Sequence, residues 1–134
     1  MVGEAAVRRW PGCTWRPVYD PFVGVGVRAA DPERAARTDA EYEAMTGRMY
    51  AVEDELPAFC RGYPGLTFAF VVAECFGGRC IYWGFVVRDG ACVLTVDVDE
   101  EAEAAGLARL LAPLGVRVRN GYFTPFERGF WGEC

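Results

Sequence analysis

Six cysteines and a few clustered carboxylates are the residues of this 134-residue chain whose types and spacing could do chemistry. Cys75 and Cys80 are the most motif-like pair. They flank Phe76-Gly77-Gly78-Arg79, where two glycines favour a two-residue hairpin turn with positive φ. One step out from such a turn, facing residues form a non-hydrogen-bonded pair with Cα atoms about 4.5 Å apart. That separation lies at the short edge of disulfide range. Cys75 and Cys80 are therefore a candidate redox pair, set against two reduced thiols that behave as small hydrophobes. A zinc site from Cys60, Cys75, Cys80 and Cys92 is disfavoured. No Cys-x2-Cys knuckle occurs, and the expected register puts Cys92 on the opposite face from the hairpin pair.

Carboxylates supply the second candidate. Pairing about the Gly-Gly turn sets Glu74 opposite Ile81, on the face of large apolar residues, while Glu100 and Glu103 fall on the leucine stripe of a later helix. Glu74, Glu100 and Glu103 thus form a candidate binding cluster at one rim of the core. It would accept a partner's Arg or Lys, or a hard cation. The opposing account is a wet rim where each carboxylate is solvated, with Arg79 nearby.

What the chain lacks narrows its chemistry further. It contains no His, Lys, Ser or Gln, and all 14 basic residues are Arg. This removes Ser-His-Asp and Cys-His catalysis, histidine metal ligands and Schiff-base lysines. Gly24-Val-Gly26 lacks the third glycine and the lysine of a phosphate loop. No catalytic residue and no cofactor are assigned, and the balance leans away from an enzyme. A net charge of −5 argues against a nucleic-acid partner.

The elements that must position these residues centre on Leu66–Val98. This stretch reads as an antiparallel meander of three strands, with Arg88-Asp89-Gly90-Ala91 as its second turn. One face carries Phe68, Phe70, Val72, Ile81, Trp83, Phe85, Val87, Cys92, Leu94 and Val96. The other carries Ala69, Val71, Ala73, Cys75, Cys80, Tyr82, Gly84, Val86, Val93, Thr95 and Asp97. The fold class is α+β, with helices against the large face and short strands at 22–29 and 116–119 extending the sheet. Trp83 should then be the most sensitive core position. The small face could hold a ligand groove at Tyr82, Gly84, Thr95 and Asp97, unless the N-terminal arm or the aromatic tail fills it.

Around the meander the chain reads as a single domain, 1–134. Residues 1–21 interleave Trp10, Trp15 and Tyr19 with three prolines, which predicts an extended arm. Asp31-Pro32 and Thr38–Glu41 are helix starts. They predict helices near 32–46 and 49–61, with a break or kink at Gly47 or Pro57. A further helix runs from Asp97 or Asp99 to about Ala112, where Pro113 and Gly115 stop it. Residues 122–134 form an aromatic tail expected to pack on the body, with Phe126, Phe130 and Trp131 as anchors. No apolar run reaches membrane-spanning length and no secretory signal is visible, so no membrane partner and a cytoplasmic location are expected.

The Phe76-Gly77-Gly78 hairpin, the Arg88-Asp89-Gly90 turn and the helix ending Leu114-Gly115-Val116 together resemble small bacterial α+β proteins of the immunity type. The resemblance covers about half the chain and carries over no functional residue. It implies a non-enzymatic protein-binding module that neutralises a partner protein such as a toxin. Two rivals stand beside it. One is a small-molecule binder or carboxylate-based enzyme using the small-residue face. The other is a structural subunit that forms a homodimer through the aromatic tail.

Overall fold

Residues 1–19, 22–29, 35–76, 79–97, 103–118 and 128–131 are described by the structure, a computed structural model. The fold is α+β, and its contacts divide the chain into two compact units. The first comprises Met1–Tyr19 and Val23–Leu56; the second comprises Asp20–Phe22 and Pro57–Cys134.

The first unit begins with a helix, α1 (Val2–Arg9), followed by strand β1 (Cys13–Val18). The extended arm expected over residues 1–21 is thereby corrected. Glu4 in the first turn of α1 and Arg8 and Arg9 in the last match the helix dipole. Gly3 and Ala6 are buried, and the Trp15 ring lies so close to Gly3 that an added Cβ would come within 2.4 Å of it. The prolines fall outside α1: Pro11 follows it, and Pro17 sits in a two-stranded ribbon, where an edge tolerates a missing N–H. Strand β2 (Gly24–Ala29) pairs antiparallel with β1, Trp15 facing Val27. It therefore forms its own sheet and does not extend the meander.

Helix α2 (Asp39–Cys60) is continuous through both Gly47 and Pro57, which corrects the expected pair of helices. A solvent-facing glycine costs only about 1 kcal/mol against alanine, and the Met45–Met49–Val52–Leu56 stripe outweighs that cost. The Thr38 start is capped much as a capping box is, with the carboxylate reaching one residue further back. Thr38 Oγ1 accepts the Glu41 N–H at 3.1 Å, while the Glu41 carboxylate accepts the Arg37 N–H at 2.8 Å. The Asp31-Pro32 start lies outside the described residues. The two units divide at Pro57.

Trp10, only 4% exposed, donates its indole N–H to Glu55 Oε2 at 2.6 Å, and Arg9 Nε lies 3.3 Å from the same oxygen. Glu55→Ala removes the acceptor from a buried donor. It should destabilise the chain by about 1–3 kcal/mol, read as a lower urea midpoint with an unchanged slope.

The second unit holds the meander of β3 (Thr67–Phe76), β4 (Arg79–Arg88) and β5 (Ala91–Val96), in the order β3-β4-β5. The β3–β4 register is the expected one, with Val72 facing Trp83, Glu74 facing Ile81 and Cys75 facing Cys80. Asp89 and Gly90 have φ of 53° and 83°, the twist-matched turn that Asp-Gly predicts. Beyond that turn the β4–β5 register departs from expectation. Val87 still faces Cys92, but Val86 faces Leu94 and Gly84 faces Val96. Val93 is the extra residue of a β-bulge and stands 56% exposed.

The bulge moves Leu94 and Val96 onto the small-residue face. There they meet Val86, Ala69, Val71 and helix α3 (Glu103–Leu111) through Leu107, Leu110 and Leu111, all at most 1% exposed. Helix α3 therefore packs on the small face, which corrects its expected place on the large one. Small side chains make room for it, as does Gly106, whose added Cβ would come 3.1 Å from the Tyr82 carbonyl oxygen. On the large face, Phe59 near the end of α2 and Tyr63 in the turn after it pack around Phe68.

A 3₁₀ turn, Ala112–Leu114, follows α3, and Gly115 in the left-handed region returns its N–H to the Ala112 carbonyl at 2.9 Å. Residues 116–118 form no strand, but Val116 and Val118 join the Leu107–Leu111 cluster. In the tail, Phe130 and Trp131 pack edge to face at 4.9 Å within a second 3₁₀ turn, Arg128–Trp131. Phe126 lies outside the described residues.

Candidate functional site

The two faces of the meander decide which candidate sites survive. On the small face, the expected groove at Tyr82, Gly84, Thr95 and Asp97 does not assemble. Tyr82 packs against the Leu107–Leu111–Val116 cluster and Gly84 is buried. The bulge places Thr95 opposite Phe85, and Thr95 and Asp97 are both exposed. Helix α3 covers the face where a ligand was to lie.

The carboxylate cluster is not brought together by the described residues either. Glu74 is exposed and faces Ile81, on the side of the sheet opposite α3. Glu100 lies outside the described residues, and of Glu103 only the backbone, at the start of α3, is described. Among the described residues no group of three or more metal-binding side chains occurs.

The large face presents the clearest functional geometry. Phe70 and Phe85 stack at 5.1 Å with their rings 20° apart. They lie in register with Val72, Ile81 and Trp83, all on one face and all half-buried. At one end Val87 is fully buried, where Phe59 and Tyr63 crowd Phe68. Stacked aromatic side chains with residual exposure can supply large contact area at low entropic cost. Sequence alternation named every residue of this face except for the exchange at the bulge. Which face a helix would cover was signalled only by Gly106 within α3.

The cysteines separate by environment. Cys13 and Cys60 are buried, and Cys92 is exposed, its thiol 3.4 Å from Thr95 Oγ1. Burial pushes the Cys13 thiol above its ordinary range, and the Arg48 guanidinium partly offsets this. Arg48 also lies over Gly12, close enough that a Cβ there would come within 2.5 Å of it. A thiol with a raised pKa stays protonated and unreactive near neutrality. Of Cys13, Cys60 and Cys92, iodoacetamide at pH 8 should therefore label Cys92 first, and Cys13 and Cys60 only on unfolding. Equal rates for Cys13 and Cys92 in the native chain would contradict this ordering.

No protein-family model, curated protein or solved structure matches this chain. Among the described residues no helix is long and apolar enough to cross a membrane.

Proposed function

We propose that this protein is a non-enzymatic protein-binding module, an immunity-like inhibitor that neutralises a partner protein such as a toxin. The observation that carries the reading is the half-buried aromatic face of Phe70, Phe85 and Trp83 on the side of the sheet away from α3. The absence of His, Lys and Ser from the whole chain removes most nucleophile–base chemistry and supports the same reading. A net charge of −5 favours a partner with a basic field and disfavours nucleic acid. A cytoplasmic setting belongs to the proposal, and the unpaired thiols of Cys13 and Cys60 suit a reducing compartment.

The small-molecule reading loses support because α3 occupies the face its groove required. Affinity capture from the native lysate, followed by native mass spectrometry, separates the two. The proposal expects one protein held at a fixed stoichiometry. A small molecule retained by the isolated chain, with no protein partner, would instead favour the rival.

A further inference from the structure

We propose that Cys75 and Cys80 are a reversible modification site, oxidised to a disulfide across the β3–β4 hairpin by small-molecule disulfides such as oxidised glutathione. The two residues are Cα partners in the antiparallel register, one step out from the pair Phe76–Arg79 that closes the turn. This is the non-hydrogen-bonded position, where facing Cα atoms approach to about 4.5 Å and a disulfide spans the strands without breaking a ladder bond. Ala73 and Glu74, the two residues before Cys75, are exposed.

The other described cysteines lack such a partner position. Cys13 and Cys60 are buried, and the exposed Cys92 faces Val87 across the ladder. The site stands apart from the partner-binding reading and does not depend on it.

The chemistry balances as two exchanges. One hairpin thiolate attacks the external disulfide, forming a mixed disulfide and releasing one small thiolate. The second hairpin thiolate attacks the protein-side sulfur of that mixed disulfide, forming the Cys75–Cys80 bond and releasing the second. Two protein thiols are oxidised, one external disulfide is reduced to two thiols, and the protons lost by the cysteines end on the released thiolates. Facing positions in one hairpin give the second step a high effective concentration, so the mixed disulfide does not accumulate.

The sequence makes the test direct. Arg79 lies between the two cysteines, and because all basic residues are Arg, trypsin places each of the six cysteines on a different peptide. The reduced full-length chain is incubated with excess oxidised glutathione, blocked with iodoacetamide and digested without reductant. The expected result is peptide 62–79 linked to peptide 80–88 as the dominant disulfide species, separated again by dithiothreitol. Cys92 should appear as a glutathione adduct or as a blocked thiol. In the Cys75→Ala chain, Cys80 should accumulate as the glutathione adduct. Peptides 62–79 and 80–88 recovered unlinked, whether free or each carrying glutathione, would overturn the proposal. Linkage of either cysteine to any other peptide would overturn it equally.

Discussion

Gly84→Ala is expected to unfold the meander, lowering stability by about 3 kcal/mol or more. Gly84 has a φ of +153°, outside the range that side-chain-bearing residues readily adopt, and it is buried at the centre of β4 between Val71 and Val96. An added Cβ would collide with the Phe70 carbonyl oxygen at 1.8 Å, and the next nearest atoms are also backbone. No flexible side chain can move aside, so the strands themselves must shift. That shift would disturb the pairing of β3 with β4 where Phe70 stacks on Phe85. Circular dichroism and a urea titration read the outcome. A midpoint within error of the parent would mean that β4 does not follow this path at Gly84.

Leu110→Ala is the second large effect, with an expected cost of about 2–5 kcal/mol. Leu110 is fully buried between Val86 and Val96, and Leu107 and Leu111 sit beside it at 0% and 1% exposure. A cavity there is walled by sheet on one side and helix on the other, which limits collapse. Trp83, on the opposite face, is only half-buried, so Trp83→Ala should cost less than Leu110→Ala. The reverse order in matched urea titrations would return the main core to the large face and contradict the packing of α3.

These two positions also show how far the sequence could be read. Gly-Gly and Asp-Gly turns set the β3–β4 register and the start of β4–β5, because two-residue turns leave the strands one way to pair. The bulge at Val93 carries no comparable signal. Strict alternation puts Leu94 and Val96 on the large face with Trp83 and Phe85, and one extra residue exchanges them with Thr95 between faces. The small-residue face is legible as a face, but the sequence leaves open whether a ligand or another part of the chain lies on it. Ala69, Ala73 and Gly84 are equally suited to a ligand and to a close-packed helix, and Gly106 was the residue that could have decided between them. Helix α1 is obscured in the sequence because the prolines and tryptophans from Trp10 onward signal an extended path. Its own signals, Glu4 early and Arg8 and Arg9 late, span only two turns.

The functional claim rests on the aromatic face, and a paired capture experiment tests it most directly. Full-length chain and its Phe85→Glu variant are immobilised at equal density, after thermal melts confirm that both are folded, and exposed to the same native lysate. Phe85 is half-buried and stacked on Phe70, so a carboxylate there would be desolvated in any complex that covers the face. The account predicts one protein retained at a fixed ratio by the parent chain and at least tenfold less by the variant, with an exposed control such as Glu43→Ala unaffected. Equal retention by Phe85→Glu, or no stoichiometric partner for the parent chain, would contradict it.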